Sequence, residues 1–385
     1  MTPADGLAGP GRPTAPRPLV LCAQPYGYGP VSKLLALAGR LRPTGLPLVF
    51  VGTGITLELA ARSAPLFARV LDAGPGSTDA REAIAGAAAV VSVMDREYSV
   101  VATDLGRPLY VVDSLYWMRA TLPPAFRGAR IHWVQDFDGV ATVPGRAENV
   151  RITGPLLPPG MPRWRGGTRL VVNLGGGRSP FASAADNAAY WRFVLGGLRH
   201  SDLGARYRGR ILVLGGDQCL EVVRAEGLGE GFELATLPHS AALEAFAGSA
   251  LVLSSPGLTT SLECFRMGVP VCYLPPQNYS QWCILRSLRR HRAADHAFHW
   301  EDMGERYWLA DRLDEPERDP LIRRAIDELA VRPDARSAYL GGLARMADGD
   351  PAAVAAAQAG YLQSLGGDGI AQVVDDLLSD LRLRP

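Results

Sequence analysis

Residues 254–281, SSPGLTTSLECFRMGVPVCYLPPQNYSQ, concentrate the side chains best suited to holding an anionic ligand. Ser255-Pro256-Gly257 interrupts an apolar run, and a helix is expected over 258–267, closed by Gly268. A glycine-containing turn between a strand and a helix points backbone N–H groups and the positive end of the helix dipole at one spot. That spot favours an anion such as phosphate. Thr259, Thr260 and Ser261 fall in the first helical turn, where their hydroxyls either cap the helix or donate to an oxygen ligand. Glu263 follows one turn later, placed for a bidentate grip on a diol. A phosphate subsite next to a diol subsite is what a nucleotide-sugar requires.

Two further glycine loops have the same setting. The apolar run 19–23 leads into Tyr26-Gly27-Tyr28-Gly29-Pro30, then a helix over 31–41 with Lys33 in its first turn. The spacing is neither that of a P-loop nor GxGxxG, so a ligand loop and an ordinary helix-capping loop are both open readings. Lys33 is the one lysine among 40 basic residues. A bias towards arginine codons explains the excess of arginine but not the position of the lysine that remains. Downstream, the run 169–174 ends in Gly175-Gly176-Gly177-Arg178-Ser179, where backbone can approach a ligand closely and Arg178 and Ser179 can meet phosphate oxygens. Asp113 and Asp136 stand at the carboxyl ends of expected strands; each is a polar contact for a ligand or a helix cap. Tyr116-Trp117-Met118 either floors an acceptor pocket or belongs to the core.

These residues need a scaffold of alternating elements. Strands are expected over 47–51, 88–94, 108–113 and 131–135, with helices over 56–62, 81–86 and 97–105 between them. Such alternation argues for a parallel, doubly wound α/β sheet. Residues 153–162, TGPLLPPGMP, form the clearest linker, and after them the order of strand, glycine loop and helix starts again. Strands are then expected over 210–214, 233–237 and 269–274, and Ser240 is placed to cap a helix over 241–248. The expected organisation is a tail over 1–17, an acceptor-side domain over 18–153 and a linker over 154–167. A nucleotide-sugar domain over 168–365 and a last helix over 366–385, crossing back to the first domain, complete it. The length of 385 residues suits two domains. A net charge of +1 gives no sign of a nucleic-acid partner, and no apolar run approaches the ~18 residues of a membrane span. The start of the chain lacks the order of a signal peptide, and the five cysteines are irregularly spaced, so a cytoplasmic protein with reduced thiols is expected.

The second half resembles the nucleotide-sugar glycosyltransferases of the two-Rossmann-domain (GT-B) type, close in pattern to UDP-glycosyltransferases and the lipid-II-forming N-acetylglucosaminyltransferase. The matching residues are 256–263 (PGLTTSLE), Gly268-Val269-Pro270, Pro275 and Gln281, with Pro238-His239 for the turn against the nucleobase and Gly175-Gly176-Gly177 for the interdomain loop. The resemblance implies two Rossmann-like domains facing across a cleft. It implies that Thr260 and adjacent backbone hold the diphosphate, Glu263 the ribose hydroxyls and Gln281 the donor sugar, with Gly257 and Thr259 also among the donor-binding residues and with no metal and no cofactor beyond the nucleotide-sugar co-substrate. Departures stand beside it. Ser255 replaces the usual His, Pro256 a glycine and Ser280 an acidic residue. The first-domain loop has Tyr26 and Tyr28 where these enzymes keep a His base; Tyr is a weak base near neutral pH. Tyr28, Asp113, Asp136 and Asp138 are the candidate catalytic groups, and Gly27, Gly29 and Lys33 form the acceptor-side loop. That loop and the 113–117 segment also resemble enzymes joining glucuronate from UDP-glucuronate to a cytosine nitrogen, an acceptor that needs no His base, with Lys33 meeting the sugar carboxylate. The expected partners are a nucleotide-sugar and a small-molecule acceptor of secondary metabolism. A non-hydrolysing sugar epimerase and a non-catalytic partner of the same fold are the rival readings, and the oligomeric state is open.

Overall fold

A computed structural model of the chain describes residues 16–25, 27–142, 147–175, 187–313 and 315–382. The first domain alternates β1 (Leu19–Ala23), α1 (Gly29–Leu41), β2 (Leu48–Gly52), α2 (Gly54–Arg62), β3 (Arg69–Asp72), α3 (Thr78–Gly86), β4 (Ala89–Val93), α4 (Arg96–Asp104), β5 (Leu109–Asp113), β6 (Ile131–Gln135) and β7 (Val150–Thr153). The strands form one parallel sheet in the order β3-β2-β1-β4-β5-β6-β7. The second domain contains β8 (Leu170–Asn173), α5 (Ala188–Arg199), α6 (Asp202–Arg206), β9 (Ile211–Leu214), α7 (Asp217–Ala225), β10 (Glu233–Ala235), α8 (His239–Ala247), β11 (Leu251–Ser254), α9 (Leu258–Met267), β12 (Val271–Tyr273) and α10 (Tyr279–Arg290). Its parallel sheet runs β10-β9-β8-β11-β12. Four helices follow: α11 (Glu315–Leu329), α12 (Pro333–Asp348), α13 (Pro351–Ser364) and α14 (Gly369–Asp380).

The inner strands β1, β2, β4, β5 and β6 are buried along their whole length, as strands covered by helices on both faces must be. That double burial gives the continuous apolar runs visible in the sequence. The edge strands β3 and β7 are partly exposed and carry Arg69, Asp72 and Arg151, so no apolar run marks them, and both escape a sequence reading. The strands expected over 233–237 and 269–274 are shorter than their apolar runs. The cap expected of Ser240 does not form: α8 begins at His239 behind Pro238, and Ser240 lies inside the first turn.

The chain crosses between domains twice, and the crossings touch. Gly154 N–H donates to Gln372 Oε1 (2.9 Å) and Gly369 N–H to Pro155 O (3.1 Å). A Cβ on Gly154 would lie 2.0 Å from the carbonyl oxygen of Gly367, so only glycine permits this approach. Beyond it, α14 packs on the first domain: Ile370, Val373, Val374 and Leu377 share a core with Leu19, Leu21, Val31 and Leu34. Tyr116, Trp117 and Met118 are buried, the Trp117 ring lying 4.9 Å from that of Phe137, which meets Tyr361 of α13 at 6.0 Å. This aromatic run is packing between the domains. All five cysteines are buried and unbridged. Among the described residues no helix is long and apolar enough to cross a membrane. The tail over 1–15 lies outside the described residues.

Candidate functional site

Each sheet reverses its winding once, between β1 and β4 in the first domain and between β8 and β11 in the second. Open parallel sheets bind ligands at the carboxyl edge beside such reversals, because the loops diverge there and leave a crevice. The loops after β1, β8 and β11 are the three glycine loops singled out in the sequence.

On the second domain the start of α9 is held by side chains distant in sequence. Asn173 Nδ2 donates to Ser254 Oγ (2.9 Å), and Ser255 Oγ donates to Leu174 O (3.2 Å). Gln277 Nε2 donates to both Leu174 O (3.1 Å) and Ser255 Oγ (2.6 Å). The three connections after β8, β11 and β12 are thereby tied together. Gly257 takes the N-cap position of α9 with no side-chain cap, and Ser261 Oγ returns to Gly257 O (2.8 Å) within its own helix. Thr260 is half-buried beside it. Asn278 caps α10 by accepting from Gln281 N (3.0 Å), and Ser280 Oγ donates to the same oxygen (2.8 Å). The Gln281 side chain accepts from Gln277 N (2.9 Å), which ties it to the 275–278 turn.

Glu263 is 2% exposed, and its Oε1 lies 2.9 Å from Nε2 of His239 at the start of α8. Burial works to lower the His239 pKa, but the Glu263 carboxylate outweighs it and the net shift is upward. The pair fixes one carboxylate oxygen, and the group stands about one turn behind the helix start.

Opposite stands the loop after β1. Gly27 has φ +64, Tyr28 occupies the N-cap position of α1, and Tyr26 lies outside the described residues. Lys33, 3% exposed, reaches across the cleft: its Nζ donates to Thr259 Oγ1 at 2.5 Å. A Cβ on Gly29 would come 3.2 Å from the same Thr259 oxygen, so a side chain there would have to push the threonine back by a few tenths of an ångström. Burial lowers the Lys33 pKa from 10.5 to about 8, an effect that Glu263 and Asp113 partly oppose.

Of the three aspartates proposed as bases, Asp113 is near enough to act on Lys33, and each has its own setting. Asp113 is fully buried at the end of β5, where it accepts from Leu115 N (2.8 Å) and Arg119 Nε (2.9 Å), with His132 Nε2 at 3.7 Å. Burial would raise its carboxyl, but Arg119 and His132 hold it well below the usual range. Asp138 pairs with Arg290 (2.6 Å) across the domain boundary. Asp136 follows β6, three strands from β1, or roughly 14 Å by strand spacing. Burial raises its carboxyl, against a hydrogen bond from Phe137 N–H that lowers it. Gly176, Gly177 and Arg178 lie outside the described residues. Among the described residues no group of three His, Cys, Asp or Glu is arranged to hold a metal ion.

Gln277 and Asn173 escaped the sequence reading. Their bonds join strands brought together only by the sheet, and no local pattern marks such residues.

No protein-family model matches the chain, and no curated protein sequence does. Solved structures do. UGT89C1 of Arabidopsis thaliana, complexed with UDP, is similar at 14% identity and TM-score 0.55, covering 94% of this chain and 99% of its own. Os79 from O. sativa in complex with UDP gives 13%, 0.55, 94% and 100%. MurG of Acinetobacter baumannii gives 13%, 0.51, 94% and 99%. At such identities the likeness is one of fold, and it extends over almost the whole chain: two Rossmann-like α/β domains in the GT-B arrangement.

Proposed function

We propose that this chain is a glycosyltransferase that takes a nucleotide-sugar, with UDP as the nucleotide, and passes the sugar to a small-molecule acceptor. The observation that carries this reading is the buried Glu263, fixed by His239 one turn behind the start of α9, whose N-cap residue is Gly257. The UDP present in the structures of UGT89C1 and Os79 supports the choice of nucleotide. In this reading the first N–H groups of α9 hold the diphosphate and the Glu263 carboxylate the ribose hydroxyls. As the bond from sugar to diphosphate breaks, negative charge grows on the leaving group. Fixed donors already aimed at that charge stabilise it without reorganising. No metal is assigned a part.

The state of two of the three aspartates supports a finer reading of the acceptor. Asp113 and Asp138 are committed to arginines, which suits an acceptor that needs little deprotonation. A ring nitrogen, as in a cytosine-type base receiving glucuronate, is the finer form of this proposal. The same pairing of aspartates also suits a partner protein that binds the nucleotide without turnover.

A thermal-shift series with UDP-sugars, followed by an assay of UDP release, separates these outcomes, since a bound donor raises stability by mass action. The proposal expects a shift with UDP-sugars and UDP release with an acceptor; UDP-glucuronate with cytosine tests the finer form. Binding without release from any donor and acceptor would favour the partner reading. No binding at millimolar nucleotide would overturn the proposal.

A further inference from the structure

We propose that Lys33 is a ligand of the donor's diphosphate, reaching from the first domain to complete an anion site at the start of α9. The inference rests on the nucleotide-sugar reading above and adds to it a residue on the opposite side of the cleft. Its first support is position. The Lys33 ammonium meets Thr259 in the first turn of α9, although 226 residues separate the two in sequence. Gly29 lies beside this contact: a Cβ there would come 3.2 Å from Thr259 Oγ1 and 3.9 Å from Lys33 Nζ.

The second support is electrostatic. An ammonium set against the positive end of a helix is repelled by it, and burial adds a desolvation cost. The carboxylates that act on Lys33 are Glu263 and Asp113, one from each domain. Each is engaged elsewhere, Glu263 with His239 and Asp113 with Arg119. A diphosphate bridging Lys33 and the α9 N–H groups turns a repulsive arrangement into an attractive one. A mononucleotide, with its phosphate held nearer the ribose, uses less of it. Chemistry of side chains agrees: an ammonium is a compact point charge that fits where the two helix starts nearly touch, and a guanidinium fork is broader.

Calorimetric titration of UDP, UMP, uridine and UDP-glucuronate into the full chain and into Lys33→Met tests this, with Lys33→Gln as the second variant if the first does not fold. The expected result is a UDP affinity about 10- to 100-fold weaker in the variant, a smaller loss for UMP and none for uridine. Equal UDP affinity in both proteins would overturn the inference and leave the nucleotide-sugar reading standing. A loss confined to UDP-glucuronate would place Lys33 on the sugar carboxylate and also overturn it. If the unaltered chain binds no UDP, both the reading and the inference fail.

Discussion

The starts of α9 and α1 look alike from the sequence and are built in different ways. Each follows a glycine-containing loop at a strand end beside the reversal of its sheet, and neither has a side-chain cap. Around α9, Thr259 apart, the polar side chains find partners within the second domain, through Asn173, Ser255, Gln277 and the pair of Glu263 with His239. The site there is preorganised by its own domain. At α1 the charged group, Lys33, finds its partner on the other domain. One half of the cleft is a finished cradle; the other half is completed only by what it faces. Preorganised groups lose less on binding, so affinity for the nucleotide is expected to reside mainly on the α9 side. Discrimination of charge is expected to reside on the α1 side.

The largest effect that would sharpen this contrast concerns neither helix start but the carboxylate behind α1. Replacing Asp113 with Ala strands the buried Arg119 guanidinium, and a loss of about 3–5 kcal/mol in unfolding free energy is expected. The sign with pH follows from its lowered carboxyl. The contribution of Asp113 is present above its unfolded pKa and is lost as pH falls through the lower folded value, which acid unfolding of the two proteins would display. A variant that kept full stability but lost turnover would instead make Asp113 a catalytic base.

Lys33→Met should move stability the other way. With a pKa of about 8 folded and 10.5 unfolded, the unfolded chain binds more protons between those values, so stability rises with pH across that window. Below pH 8 the buried charge costs roughly 3 kcal/mol, and the methionine variant should be more stable by up to that amount at neutral pH. Chemical denaturation at pH 7 and pH 10 should show the advantage shrinking. A variant less stable at pH 7 would mean that the contact with Thr259 outweighs the burial of charge.

On the α9 side, Glu263→Ala is expected to weaken UDP binding by about 1–3 kcal/mol, since hydrogen bonds to a charged group are lost. Calorimetry showing unchanged affinity would remove Glu263 from the site and, with it, the contrast between the two halves. The smallest effect belongs to Asn278→Ala, which removes the cap of α10 and should cost about 1 kcal/mol of stability. UDP affinity should fall only slightly, because Gln277 keeps its bonds to Leu174 and Ser255. A larger fall would show that the cradle depends on the α10 turn.

Much was legible in the sequence because it was local. The doubly wound architecture followed from apolar runs of strand length alternating with helical stretches, and two-face burial makes such runs obligatory. The α9 segment could be read in the same way, down to the helix over 258–267 and its left-handed close at Gly268, since breaker and cap are properties of neighbouring residues. Tertiary structure alone decided the rest. It made β3 and β7 strands, through pairing with a neighbour at a half-exposed edge. It also took Asp113 into an ion pair with Arg119 and set Lys33 against Thr259. Hydrogen bonds and ion pairs between residues far apart leave no period or spacing in a sequence, and they exist only once two sheets have brought their loops to a common cleft.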